Sequence, residues 1–219
     1  MLDLSCFLAG AVRLLGPVLL LLILCKKAGA RIYPALIAFA VAMPAFIIAA
    51  MIRSGFSQED LTVFALKRGL LYGIMEEGAK YIAIRFLLEN YDSRKDAVTY
   101  GIGHGALEEF SAGMACFGLI GTGRAAPDML FFNIWAIAEG TVFAVGLTVL
   151  IFYGIRTGKS KIMLPAAMLL HALGNAFNGI FFFSKAIVFA GSLLITGGIC
   201  FAAYRCWKEL YDPYEDESF

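Results

Sequence analysis

The stretch Tyr72–Leu88, YGIMEEGAKYIAIRFLL, places three charged residues inside a strongly apolar run: Glu76, Glu77 and Lys80. Of the 219 residues in the chain, 60% are hydrophobic and 16% are charged, whereas soluble domains carry about 25% charged residues. This composition is typical of a membrane protein with most of its mass inside the bilayer. Charges at that depth are costly, and their default interpretation is a functional site.

Seven segments are interpreted as membrane-spanning helices, because lipid allows only helices or closed barrels to span and the alternation typical of barrel strands is absent. The third and fourth are poor by hydropathy, since acidic residues and a histidine interrupt them. The segments are Leu2–Cys25, Ile32–Ile52, Leu61–Leu88, Lys95–Gly121, Pro127–Ile155, Ile162–Phe183 and Ala186–Trp207. We therefore predict an all-α, polytopic transmembrane bundle, with residues 1–219 as one integral-membrane domain and 209–219 as an acidic tail.

Basic residues concentrate in alternate loops, which predicts the orientation of the chain. The rich loops and the start of the tail hold Lys26, Lys27, Arg31, Arg94, Lys95, Arg156, Lys159, Lys161, Arg205 and Lys208. Lys67 and Arg68, at the entrance of the third span, are a local exception. We expect the N-terminus outside and the C-terminus in the cytoplasm. The net charge of +1 and the lack of basic runs longer than two residues argue against nucleic-acid binding.

Three spans carry ionisable residues at one depth. With a helical rise of about 1.5 Å per residue, Glu76 lies about 18 Å, His104 about 15 Å and His171 about 16 Å from the cytoplasmic ends of their spans. Polar residues also recur four positions apart, on one face of each helix. These pairs are Glu76 with Lys80, His104 with Glu108, and His171 with Asn175. We predict that the acids and imidazoles meet in one wet, sealed hollow. Arg13 could pair with Glu76 or Glu139, and Glu109 has no assigned partner.

The motifs EEGAK, YGIGHGALEEF and HALGN, at residues 76–80, 100–110 and 171–175, resemble those of the type II CAAX-prenyl-protease and bacteriocin-processing superfamily. The sequence around the first two motifs is more similar still to the bacterial YhfC-type intramembrane metalloproteases. The resemblance covers roughly residues 70–180. It implies a protease-like domain in a bacterial plasma membrane that cleaves a membrane-tethered peptide or protein. Two departures stand out: Lys80 replaces the commoner arginine, and Gly140 follows Glu139 where Glu-Arg is expected.

The predicted chemistry is peptide-bond hydrolysis by glutamate-activated water. Glu76 would take the proton from water, and Glu77 would be held in place by Lys80 or by neighbouring backbone groups. The resemblance suggests that His104 holds the same water. His171 and Asn175 would stabilise the oxyanion, because donors aimed at developing charge contribute strongly to catalysis.

A metal-assisted version of the site stays open. His104, Glu108 and His171 offer two imidazoles and one carboxylate, which is a known ligand set for catalytic zinc. Glu76 would again be the base. The cofactor expectation is therefore either none or zinc.

Two other classes of function remain from the sequence. One is a catalytically silent scaffold, since the APH-1 subunit of gamma-secretase resembles this chain distantly in its seven spans and orientation. The other is a proton-coupled transporter, because a mid-membrane cluster of Glu, His and Lys can relay protons. No repeated pair of broken helices is evident, which favours hydrolysis over transport.

Overall fold

The computed structural model describes residues 2–57, 60–123 and 129–210. Within these ranges the chain is helical and has no strand, which confirms the predicted all-α bundle. The helices are α1 (Leu2–Ala28), α2 (Tyr33–Arg53), α3 (Leu61–Ile82), α4 (Arg94–Gly118), α5 (Met129–Arg156), α6 (Ser160–Ile180) and α7 (Lys185–Trp207). A π-helical turn, Ala83–Leu87, extends α3. Residues 211–219 of the predicted acidic tail and the predicted start of the fifth span at Pro127 lie outside the described residues.

Four of the described helices, α1, α2, α5 and α7, are long and apolar enough to cross a membrane. By the same measure α3, α4 and α6 are not, and these three carry Glu76, His104 and His171. The weak hydropathy of the third and fourth spans was predicted, whereas that of α6 was not. The number of spans and their orientation stay predictions.

Polar caps mark where two of the central helices begin. The side chain of Asp60 accepts a hydrogen bond from the Val63 backbone at the start of α3. Ser93 and Asp96 form a reciprocal capping box at the start of α4. Arg31, in the loop between α1 and α2, donates two hydrogen bonds to the buried Asp96 carboxylate, and these bonds raise the pKa of Arg31. The first loop is thereby tied to the first turn of α4.

The second half of α5 lies in the centre of the bundle. Nearly every residue from Ala144 to Ile155 is buried. This burial explains why α5 reads as apolar on all sides, since a helix enclosed by others needs no polar face. Helix α4 packs against α1, α2 and α5, and α3 packs mainly against α6.

Helices α3 and α6 approach each other through two glycines one helical turn apart. A Cβ atom at Gly69 would lie 2.5 Å from the carbonyl oxygen of Ala172, and one at Gly73 would lie 2.5 Å from that of Met168. Neither distance leaves room for a side chain. Small residues four apart allow transmembrane backbones to come this close. The contact determines how near α3 side chains come to those of α6.

A second polar cluster joins α1, α4 and α5, and it does not include Glu76, His104 or His171. Arg13 donates a hydrogen bond to Glu109, with a distance of 2.7 Å from Nη1 to Oε2, and another to Asn133. Glu139 instead accepts a 2.6 Å hydrogen bond from Thr196 of α7. Both proposed partners of Arg13, Glu76 and Glu139, were therefore wrong. The pairing with Glu109 was missed because helix spacing does not show which faces of distant helices meet.

The substitution Gly73→Ala tests the close contact. The added methyl group has to displace the α6 backbone, and overpacking of this kind costs about 1–3 kcal/mol. Gly78→Ala is the matched control, because a Cβ at Gly78 would meet only the Met168 Cε atom, at 3.6 Å. We expect thermal unfolding in detergent to show a lower Tm for Gly73→Ala and an unchanged or higher Tm for Gly78→Ala. Equal Tm values in the two variants would contradict the tight packing.

Candidate functional site

Charged and polar side chains from α3, α4 and α6 meet inside the bundle. Glu76, Glu77, Lys80, His104 and His171 are each no more than 4% exposed. The Nε2 atom of His104 lies 3.3 Å from Oε2 of Glu76, and Nε2 of His171 lies 4.0 Å from the same oxygen. Glu76 therefore has two imidazole neighbours, His104 from α4 and His171 from α6.

Glu77 forms a separate, fully buried network beside Glu76. The ammonium group of Lys80 donates to both of its oxygens, at 2.8 and 2.9 Å, and Oε1 lies 2.8 Å from Nδ1 of His171. Lys80 thus holds Glu77, and the pair of Glu76 with Lys80 suggested by their spacing does not form. The positions i and i+3 also share a helix face. Lys80 can therefore neutralise Glu77, while Glu76 faces the two imidazoles.

The hydrogen bond to Glu77 determines the orientation of His171. An ionised carboxylate only accepts, so the Nδ1–H of His171 must donate to it. The Nε2 atom then faces Glu76, 4.0 Å from Oε2. The ring of Phe143 packs edge-on against this imidazole, with ring centroids 5.6 Å apart. His171 is therefore held in one tautomer and one ring position.

His104 is held on one side only. Its Nε2 contacts Glu76, while its buried Nδ1 has no hydrogen-bond partner among the described residues. The ring of Tyr100, one turn earlier, lies nearly parallel at 6.5 Å between centroids. A histidine that ligates a metal usually donates its other N–H to an acceptor. Compared with His171, His104 therefore lacks the supporting contact expected of a ligand.

Glu108 marks an open side of the cluster. Its side chain is exposed, yet one of its carboxylate oxygens lies within 4.8 Å of ligand atoms of Glu76 and His171. The cluster therefore reaches the surface of the bundle at Glu108, whereas its other members are buried. This group also differs in one member from the predicted metal set, because Glu76 stands in place of His104.

The donor chemistry of Glu76, Glu108 and His171 fits a divalent cation. Two carboxylates and one imidazole can supply three ligands and leave positions open, as catalytic metal sites do. Glu77 gives His171 the carboxylate support that metal-bound histidines usually have. Lys80 holds that supporting carboxylate in turn.

Asn175 lies one turn beyond His171 on α6 and is half-buried. It lines a cavity of about 470 Å³ between the first half of α3 and the end of α6, together with Arg68 and Asn178. The structure thus places the predicted oxyanion donor at the wall of this cavity, and its role in catalysis stays a prediction.

Sequence reasoning did not single out three residues that shape the site. Gly69 and Gly73 bring α3 against α6, and their four-residue spacing was the available signal. Arg68 was noted only as an exception to the charge pattern of the loops. Its spacing of two turns from Glu76 was the signal that it faces the same side of α3.

Comparison with known families supports this assignment of motifs. Residues 18–117 match the model of a family described as YhfC intramembrane metalloprotease, which confirms the resemblance noted from the sequence. The matched segment includes the motifs around Glu76 and His104 and ends before α6, so His171 and Asn175 lie outside it. Comparisons with curated proteins and with solved structures give no significant match.

Lys80→Met tests the network around Glu77. Removing one partner of a buried ion pair leaves an uncompensated charge and costs about 3–5 kcal/mol. We expect a loss of this size in the free energy of unfolding, measured by denaturant titration in detergent micelles. Lys80→Arg keeps the cation and should lose less, and the double variant Lys80→Met/Glu77→Gln should recover part of the loss. A Lys80→Met variant as stable as the unmodified protein would contradict the pairing.

Proposed function

We propose that the protein is an intramembrane endopeptidase that hydrolyses a peptide bond of a membrane-tethered peptide or protein. The observation that carries this proposal is the convergence of ligand atoms from Glu76, Glu108 and His171 within 4.8 Å inside a bundle of apolar helices. The family match supports it. We extend the proposal to an integral protein of a bacterial plasma membrane.

Glu76 is suited to take a proton from water. Among the described residues, no lysine or arginine forms a salt bridge with Glu76, whereas Lys80 neutralises Glu77. The Glu76 carboxylate also lies beside Glu108, where the cluster is open. A buried carboxylate of this kind, within reach of water, is a candidate general base.

The hydrolytic step follows from these contacts. Glu76 accepts a proton from water while the water oxygen adds to the carbonyl carbon of the substrate. The Nε2 of His104, 3.3 Å from Glu76, can then relay that proton to the departing nitrogen. The C–N bond breaks, and a carboxylate and an amine are formed. We assign to Asn175, one turn after His171 on α6, a hydrogen bond donated to the carbonyl oxygen as its charge develops.

A divalent cation would be held by Glu76, Glu108 and His171. When bound, it would polarise the substrate carbonyl and make a coordinated water easier to deprotonate. Glu77 and Lys80 would keep His171 oriented toward it. With the Glu76 carboxylate engaged in this way, His104 is the adjacent group able to accept a proton.

Glu76→Gln tests the proposed hydrolysis. The amide cannot act as a base, so we expect cleavage to fall by at least about 100-fold. The assay uses full-length protein in proteoliposomes with a library of quenched fluorescent transmembrane peptides. Glu139→Gln is the matched control, because Glu139 bonds to Thr196 rather than to the cluster. Cleavage retained in Glu76→Gln would refute the assigned base, and proton-coupled flux without cleavage would favour a transporter.

Elemental analysis tests the cation site. We expect purified protein to retain stoichiometric zinc or a similar divalent metal, and Glu108→Gln and His171→Ala to lose it. His104→Ala should keep the metal. Because a ligand at 100 times its Kd stabilises the folded state by about 2.7 kcal/mol, chelation should also lower the Tm. If the purified protein contained no metal and its Tm did not respond to added zinc, the cation site would be refuted. The proposed hydrolysis would then depend on Glu76 without a metal.

A further inference from the structure

A polar cavity lies between the first half of α3 and the end of α6, and it shares Asn175 with the predicted site. It has a volume of about 470 Å³ and includes Arg68, Asn175 and Asn178 in its lining. Arg68 lies two turns before Glu76 on α3, and Asn175 and Asn178 follow His171 on one face of α6. The cavity therefore lies along the α3–α6 pair, displaced from the cluster toward the start of α3. The proposed hydrolysis does not use Arg68 or Asn178.

Arg68 is a half-buried cation that forms no salt bridge with any acidic side chain among the described residues. Its side chain is half-buried, and its Nε atom is buried with no hydrogen-bond partner in the described part of the chain. The guanidinium carbon lies 5.9 Å from the centroid of the Tyr72 ring, a contact that stabilises the cation only modestly. Arginine within a membrane helix is costly and normally faces a partner or a functional cavity.

The chemistry of this lining fits a carboxylate. A guanidinium group presents a planar fork of N–H donors that matches two carboxylate oxygens. The side-chain amides of Asn175 and Asn178 can add further donors. We propose that this cavity binds an acidic group of the substrate and that Arg68 is a specificity-determining residue, an inference that rests on the proposed function.

Helix geometry gives the expected spacing between the acidic group and the cleaved bond. Eight residues of α3 separate Arg68 from Glu76, which corresponds to about 12 Å. An extended peptide rises about 3.3 Å per residue. The favoured substrate therefore carries a carboxylate between three and four residues from the scissile bond. Asn175 belongs both to this lining and to the proposed catalytic residues, so we propose the substrate peptide rather than a lipid headgroup as the occupant.

Peptide binding to an inactive background separates this inference from catalysis. The probe is a set of fluorescent apolar peptides, each with one glutamate or, as its partner, one glutamine at successive positions. Binding is measured with full-length Glu76→Gln protein in phosphatidylcholine nanodiscs. We expect the glutamate peptide of the preferred register to bind about ten- to hundred-fold more tightly than its glutamine partner. Arg68→Gln in this background should abolish the difference, and the exposed neighbour Lys67→Gln should preserve it.

Cleavage by the active protein then locates the bond relative to the preferred glutamate. An Arg68-dependent preference without any cleavage would refute the proposed function and leave the acidic-group site standing. Cleavage with no such preference, or a preference lost equally in Lys67→Gln, would overturn the inference. It would also be overturned if Arg68→Gln changed only the retention of phosphatidylglycerol, measured in a second set of nanodiscs that contain this lipid. Unchanged Tm values for both variants exclude misfolding.

Discussion

Backbone contact between α3 and α6 is the constraint on which the site depends. In lipid, helices are not driven together by the hydrophobic effect, so close packing has to supply the association. Gly69 and Gly73 leave no space for side chains between the two helices. This approach brings Glu77 to within 2.8 Å of the Nδ1 atom of His171. A wider separation would leave both groups buried without partners.

The buried charges are distributed so that only one of the two adjacent glutamates is paired with a lysine. Lys80 neutralises Glu77, which becomes a support for His171. Glu76 has imidazoles rather than an ammonium group as neighbours and lies beside the exposed Glu108. Since a buried carboxylate paired with a cation is stabilised as an anion, the unpaired one is better suited to exchange protons. The difference between two adjacent glutamates thus comes from which helix each one faces.

A second group of charges serves the fold rather than the site. Arg13 joins α1 to Glu109 of α4 and to Asn133 of α5. Because a broken buried pair leaves an uncompensated charge, these contacts favour one arrangement of the three helices. His104 lies on the same helix α4 and reaches Glu76 of α3 through its side chain. Glu108 and Glu109 are neighbours in sequence, yet one lines the cluster and the other anchors the bundle.

The sequence alone determined the helical bundle and the layer in which its ionisable residues lie. Helix length, hydropathy and rise per residue are local properties, so they could be read from the spans around Glu76, His104 and His171. Only the tertiary structure decided which groups bond. Arg13 pairs with Glu109, His171 bonds to Glu77, and Arg68 lines a cavity together with Asn175. These outcomes depend on the rotation and separation of helices distant in the chain, and periodicity within one helix carries no information about either.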